Sequence, residues 1–155
     1  MLLKRTLSML LPSVVAGVVL AIPLFLGGGP GISGPTTIEI VLRALSVGFT
    51  EEILFRLGLM TLFAWILRSM VKKPSFARPA IDLGNVLAAI LFALAHLIGN
   101  VTPETFSWNL VIGILGFNFI AGAVMGWLYT RYGLLSAVVA HFVADVVGYA
   151  VPGML

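Results

Sequence analysis

Five stretches of the chain consist mostly of apolar residues and are long enough to cross a bilayer as helices. They cover residues 7–26, 37–67, 84–100, 106–130 and 134–152. A spanning helix needs about 20 such residues, because the hydrocarbon core of a membrane is roughly 30 Å thick. Turn-forming glycines and prolines lie between the stretches. The pattern predicts an all-α, polytopic transmembrane helix bundle of about five spans, forming a single transmembrane domain over residues 1–155.

The first stretch also has features of a signal peptide, because Lys4 and Arg5 precede its apolar run. The run is longer than the apolar core of a usual signal peptide, and no small-x-small cleavage site follows it. We therefore expect this stretch to be retained as the first transmembrane helix.

The composition favours an integral membrane protein over the other classes. Hydrophobic residues make up 60% of the 155 residues, and charged residues only 10%. An ordinary soluble domain is roughly a quarter charged, so this chain could not cover a soluble core. A disordered tail, a coiled coil and a typical nucleic-acid binder are excluded. The absence of cysteine excludes disulfides, a cysteine nucleophile and thiolate metal sites.

The basic residues between the apolar stretches predict the orientation of the chain. The loops that carry them contain Lys4, Arg5, Arg68, Lys72, Lys73, Arg78 and Arg131. All of these loops lie on one side of the membrane if there are five spans. Because basic loops are usually cytoplasmic, we expect a cytoplasmic N-terminus and an external C-terminus, in a prokaryotic plasma membrane.

Ionisable residues inside membrane spans are costly and usually functional. The interior set is Glu51, Glu52, Arg56, His96, His141 and Asp145. Glu52 and Arg56 are four residues apart and could pair, as are His141 and Asp145. Glu51 is rotated by about 100° from Glu52 around its helix. We expect three helices to bring these groups to one level, where they would form a set that can activate water.

Simpler interpretations apply to each feature alone. The Glu52–Arg56 pair could be an internal strut, and a membrane histidine is often a packing residue. His141 and Asp145 could also serve a transporter as a proton relay. The occurrence of all three features in one short chain favours a functional site.

Three motifs follow one another along the chain. They are EExxxR in residues 51–56, FxxxH in residues 92–96, and HxxxD in residues 141–145. In this order, each on its own apolar helix, they resemble the CPBP family of intramembrane proteases. That family includes the CAAX prenyl endopeptidases and the bacteriocin-processing and immunity-associated proteins.

The resemblance implies an intramembrane endopeptidase that cleaves a peptide or a membrane protein. Glu51 would act with His96 as general base on water, while His141 and Asp145 would hold the water or stabilise the oxyanion. Glu52 and Arg56 would orient the site, and Phe92 would support it. The best-studied members have asparagine at position 145, and an ionised aspartate cannot donate a hydrogen bond to an oxyanion. Asp145 would therefore be protonated or would orient His141.

A zinc ion is the cofactor to consider, although we favour a metal-free mechanism. Glu51, His96 and His141 would form a His₂Glu set of the kind that catalytic zinc uses. The HExxH signature of helical zinc proteases is absent from the sequence.

Two rival functions remain open. Ser33 lies in a GxSG motif and His96 in an AHxxG motif, as in rhomboid serine proteases, but we expect Ser33 to be a turn residue. The chain could instead be an inactive binding or immunity-type module, and after that a small transporter. Against transport, we find no inverted repeat between the two halves.

The fourth apolar stretch carries a small-residue surface formed by Gly113, Gly116, Gly122 and Gly126. Such a surface lets another helix approach closely, within the chain, in a homodimer or in a partner. At the third stretch, Asp82 and Asn85 are predicted to cap the start of the helix. Besides a peptide or membrane-protein substrate, we expect the lipid bilayer as a partner and no nucleic acid.

Overall fold

The computed structural model describes residues 2–26, 37–98 and 100–150, and these are helical with short connections and no strand. Four of the helical segments are long and apolar enough to cross a membrane, and a fifth is apolar but shorter. In chain order the five are Leu7–Leu26, Ile38–Met70, Pro74–Ala95, Trp108–Tyr132 and Leu134–Tyr149. The predicted all-α transmembrane fold class is confirmed.

Six α-helices and three irregular helical segments make up these spans. The α-helices are α1 (Leu2–Leu26), α2 (Thr37–Glu52), α3 (Thr61–Met70), α4 (Ala77–Ala95), α5 (Trp108–Tyr132) and α6 (Leu134–Asp145). A π-helical segment (Ile53–Met60) joins α2 to α3, a 3₁₀ turn (Pro74–Phe76) precedes α4, and a second π-helical segment (Val146–Ala150) follows α6.

The third span differs from its prediction at both ends. Its helix α4 begins at Ala77, before the predicted Gly84, and ends at Ala95, so that His96 follows the helix. Asp82 and Asn85 therefore lie inside α4, and the prediction that they cap its start was wrong. The polar residues at its start suit a helix, because Arg78 pairs with Asp82 one turn later at 3.1 Å.

The chain divides into two compact units. Unit 1 contains residues Met1–Glu52 and Leu128–Leu155, and unit 2 contains Ile53–Trp127. The predicted single transmembrane domain stays a prediction.

In unit 1, α6 packs against both α1 and α2. Helices α1 and α6 lie in close contact at Gly17, where a Cβ atom would be 2.6 Å from the Ala140 carbonyl oxygen. The buried hydroxyls of Ser13 and Ser136 are hydrogen-bonded across the same interface at 2.6 Å. A hydrogen bond between hydroxyls holds two membrane helices together because neither group has water as an alternative partner there.

We predict that Gly17→Ala destabilises the fold by about 1–3 kcal/mol, the usual cost of overpacking a close contact. The new methyl group would also lie 2.7 Å from the Val143 Cβ, so backbone would have to move. Thermal unfolding in detergent measures the effect. Gly113→Ala is the matched control, because nothing lies within 4 Å of a Cβ at that position. Equal melting temperatures for the two variants would contradict the close packing of α1 on α6.

In unit 2, α4 packs against α3 and the first π-helical segment. The contact is tight at Gly84, where a Cβ would lie 2.9 Å from the Met60 carbonyl oxygen. Gly122 likewise contacts α4, because its Cβ would lie 3.1 Å from the Ala89 Cα. Part of the small-residue surface of α5 is therefore used inside the chain. The other part, at Gly113 and Gly116, has no described neighbour within 4 Å, and a partner for it stays a prediction.

Candidate active site

The His141 imidazole is the centre of a buried polar cluster in unit 1. Its Nδ1 atom lies 2.9 Å from Oε1 of Glu52, a hydrogen-bonding distance. His141 is 5% exposed and Glu52 is completely buried. A carboxylate only accepts hydrogen bonds, so Nδ1 carries the proton and donates a hydrogen bond to Glu52. This bond fixes the orientation of the imidazole and leaves Nε2 to face other groups.

Two more carboxylates lie at the opposite edge of the same ring. Oε2 of Glu51 and Oδ2 of Asp145 are each 3.8 Å from the His141 Nε2 atom. These distances are longer than a direct hydrogen bond, so a small rotation or a bridging water is needed to connect the groups. The side chain of Glu51 keeps 26% of its surface exposed. Glu51 is thus the member of the α2 pair that a water or a substrate can reach.

Local helix geometry explains how adjacent glutamates contact opposite edges of one imidazole. Residues 51 and 52 are rotated by about 100° from each other around α2, and the ring of His141 lies against the face between them. Gly48, one turn before Glu52, also faces this ring, and a Cβ there would lie 3.5 Å from it. His141 and Asp145 share a face of α6 because they are four residues apart.

A second cluster lies in unit 2, around the ring of Phe92. The fully buried guanidinium of Arg56 lies over this ring, with Cζ 4.9 Å from its centroid, and Nη2 is 3.8 Å from the Met125 sulfur. The ring of Phe55 meets Phe92 edge to face at 5.1 Å. These contacts hold Arg56 in one position, since cation–π attraction is strengthened where water is excluded.

His96 belongs to the same cluster. Its ring lies 4.4 Å from that of Phe92, and its Nδ1 atom is 2.8 Å from the Phe92 carbonyl oxygen. A carbonyl cannot donate, so Nδ1 carries the proton and Nε2 is the nitrogen with a lone pair. Asn100 donates to the His96 carbonyl at 2.8 Å, which orders the turn after α4. The imidazole is therefore prepared to accept a proton at Nε2.

The predicted site residues are thus distributed over both units. Unit 1 brings together Glu51, Glu52, His141 and Asp145, and unit 2 brings together Arg56, Phe92 and His96. Among the residues that the structure describes, no three histidine, aspartate or glutamate side chains form a group suited to a metal ion. The predicted metal set Glu51, His96 and His141 has members in both units and stays a prediction. Ser33, the rhomboid candidate, lies outside the described residues.

Sequence reasoning missed several features of these clusters. Two of the acidic residues near His141 are followed directly by π-helical backbone. The segment Ile53–Met60 begins after Glu52, and Val146–Ala150 begins after Asp145. Short π-helical segments are frequent at functional sites, but no sequence pattern predicts them. Asn85 was also misjudged, because it donates to the Ala123 carbonyl at 3.0 Å and fixes α4 against α5.

Comparison with known proteins identifies a family that the chain matches. A family model described as type II CAAX prenyl endopeptidase Rce1-like matches residues 33–147. The chain is also 38% identical over 52 residues to the uncharacterized ABC transporter permease MJ1507 of Methanocaldococcus jannaschii. That match covers 33% of this chain and 13% of the permease, so it is a short local similarity. No solved structure matches the chain.

The family match and the apolar helices agree that this is an integral membrane protein. The matched region contains all three motifs and both clusters around His141 and Phe92. It also covers well over half of the chain. The chain therefore belongs to the Rce1-like family of type II CAAX prenyl endopeptidases.

Proposed function

We propose that the chain is an intramembrane endopeptidase that hydrolyses a peptide bond with a water molecule activated at Glu51. The observation that carries the proposal is the cluster around His141. One imidazole nitrogen is hydrogen-bonded to buried Glu52, and the other faces Glu51 and Asp145. A protease needs such a set, in which a base faces a group that can stabilise charge on the substrate.

In the proposed reaction, Glu51 removes a proton from water while the water oxygen attacks the peptide carbonyl carbon. The π electrons of the carbonyl move to its oxygen, where His141 stabilises the negative charge through Nε2 once that atom is protonated. The C–N bond then breaks, its electrons stay on nitrogen, and the proton taken from water goes to the leaving amine. His96 is the proposed partner of Glu51 in accepting the proton of the water.

Glu52 acts in this scheme as a positioning residue. Its carboxylate accepts a hydrogen bond from the Nδ1–H group of His141 and so keeps the imidazole in one tautomer and one orientation. It also stabilises the positive charge when Nε2 gains a proton. Asp145 at the Nε2 edge accepts hydrogen bonds if it is ionised, so we assign it the task of holding the attacking water or orienting His141.

The proposed reaction is metal-free. The prediction is that cleavage by the purified full chain continues at an unchanged rate after treatment with EDTA or 1,10-phenanthroline. A carboxylate and an imidazole can activate water without a Lewis acid, so the removal of trace metal should not change the cleavage rate. A rate that falls with either chelator and returns on addition of Zn²⁺ would contradict this and support the Glu51, His96 and His141 ligand set.

The substrate class, orientation and location belong to the same proposal. The substrate is a peptide or membrane protein that reaches the site from the bilayer. The distribution of basic loops supports a cytoplasmic N-terminus and an external C-terminus in a prokaryotic plasma membrane.

The direct test compares peptide termini in membranes of the native host with and without this chain. New termini that depend on the chain identify both the activity and its substrate. Identical sets of termini would favour the alternative of an inactive binding or immunity-type module.

The rhomboid alternative has its own test. We predict that Ser33→Ala leaves the chain-dependent termini and the cleavage rate unchanged, because the proposed nucleophile is water and not a serine hydroxyl. Loss of cleavage in a variant of normal abundance would revive the serine mechanism, with Ser33 as nucleophile and His96 as base.

A further inference from the structure

Basic side chains are concentrated around the connection between α3 and α4 in unit 2, and no step of the proposed reaction uses them. They are Arg68 in the last turn of α3, Lys72 and Lys73 in the connection, and Arg78 at the start of α4. All four residues are exposed. The connection directly follows the apolar span Ile38–Met70, so we expect it to lie at the level of the lipid headgroups.

Arg68 folds this connection back against the end of α3. Its Nη1 atom donates to the carbonyl oxygens of Lys73 and Pro74, at 2.9 and 3.4 Å. These bonds hold the backbone that carries the lysines beside the guanidinium. The N–H groups on Nε and Nη2 have no partner within the part of the chain that the structure describes. They form a planar fork, which is the geometry that binds two oxygens of a phosphate group.

The positive charge of the connection is not neutralised by the acidic residue near it. Asp82 pairs with Arg78, whose Nε atom lies 3.1 Å from its Oδ1 atom. The ammonium groups of Lys72 and Lys73 form no ion pair or hydrogen bond with the described residues. Residues 68–73 therefore hold three uncompensated positive charges. Like charges close together repel one another, so an anion bound between them would stabilise the folded connection.

The apolar neighbours of these charges indicate that the anion belongs to a lipid. Trp65 lies about one turn before Arg68 and keeps 66% of its surface exposed, and Met70 at the end of the helix keeps 75%. Exposed tryptophans at the end of a span are typical of the headgroup level, where the ring contacts both lipid and water. A soluble phosphate would use the charges of the connection but would gain nothing from these two apolar side chains.

We propose that the α3–α4 connection is a binding site for the headgroup of an anionic phospholipid. Arg68 binds two oxygens of the lipid phosphate through Nε and Nη2, and Lys72 and Lys73 donate to its other oxygens. Trp65 packs against the apolar part of the same lipid. Clusters of basic residues next to a membrane span attract anionic lipids through such contacts. The site is separate from the proposed reaction, because it uses no residue of the two clusters described above.

The test measures which lipid lies beside Trp65. The full chain with Trp108→Phe and Trp127→Phe retains Trp65 as its one tryptophan, and it is reconstituted in vesicles of phosphatidylcholine. Phosphatidylglycerol or phosphatidylcholine with identical dibrominated acyl chains is included at equal mole fractions, because bromine quenches tryptophan on contact. We expect phosphatidylglycerol to have an about five-fold higher relative binding constant, roughly the contribution of one basic side chain at an anionic surface.

Substitutions in this single-tryptophan chain assign the preference to the connection. Replacing both lysines, with Lys72→Gln and Lys73→Gln, should remove most of it without affecting the fold, since both side chains are exposed. Arg68→Lys should keep part of the preference, because the charge remains and the planar fork is lost. Arg131→Gln is the matched control, as it removes an exposed basic residue from the last turn of α5, and the preference should not change.

Equal quenching by the two brominated lipids would overturn the proposal, and so would a preference that survives the replacement of both lysines. If Arg131→Gln lowers the preference as much as that replacement does, the net charge of the chain causes it and the proposed site is wrong. Loss of the preference on addition of millimolar glycerol 3-phosphate would show that a soluble phosphate occupies the site, which would overturn its assignment to a lipid.

Discussion

Replacing Glu51 with glutamine is expected to lower the rate of peptide-bond hydrolysis by about three orders of magnitude, within the 10²–10⁴-fold range of general-base catalysis. Glutamine has nearly the same shape but cannot take a proton from water at neutral pH. Because the Glu51 side chain is partly exposed, glutamine can take its place without disturbing the buried Glu52–His141 pair. The chain-dependent termini in host membranes should disappear together with cleavage by the purified chain.

The matched control for Glu51→Gln is Glu39→Gln, which removes an exposed carboxylate from the first turn of the same helix. This variant should cleave at the unmodified rate. If Glu51→Gln is folded at normal abundance and still yields the same termini, Glu51 is not the base. A binding or immunity-type function would then explain the cluster better, and a proton-relay transporter would come next.

Replacing Glu52 with glutamine should lower kcat by about 10²-fold or more and leave KM nearly unchanged, by analogy with the residue that orients histidine in serine proteases. An amide oxygen can still accept the hydrogen bond from Nδ1–H, but it carries no charge to stabilise the imidazolium that forms at His141. The effect therefore falls on the chemical step. It is measured as kcat and KM of the purified chain on a cleaved peptide.

Because Glu52 is completely buried, its replacement requires a check on folding. Thermal unfolding of Glu52→Gln should show a folded protein, and Asp82→Asn, which changes an exposed carboxylate of α4, should leave kcat unchanged. ¹⁵N chemical shifts of the His141 imidazole would report whether its tautomer is retained. A folded Glu52→Gln chain with unchanged kcat would contradict the positioning role.

Helical periodicity explains which parts of the candidate site could be predicted. His141 and Asp145 share a face of α6 because their spacing is close to one turn, and the His141 Nε2 atom lies 3.8 Å from the Asp145 carboxylate. The same reasoning separates Glu51 from Glu52 around α2. Periodicity does not predict that Glu51 and Glu52 both reach the imidazole of His141. That depends on the position of the ring between the two side chains, which the packing of α6 on α2 sets.

The ends of α4 were harder to predict for a related reason. An apolar stretch marks the part of a helix that prefers lipid, whereas the helix itself continues wherever backbone hydrogen bonds and polar side-chain pairs allow. The polar start of α4, with its Arg78–Asp82 pair, is therefore helical before the apolar part begins. At the other end, the bond from the His96 ring to the Phe92 carbonyl follows the last helical turn.

The apolar runs and the positions of the polar residues within them were enough to predict an all-α membrane protein and the ionisable residues that are candidates for its chemistry. Both conclusions depend on local quantities, namely the length of apolar runs and the spacing of residues along a helix. Only the packing of the helices shows that Glu52 holds Nδ1 of His141 and that α1 approaches α6 at Gly17. These contacts join segments far apart in the chain, and the distance between two packed helices is set by the side chains of both.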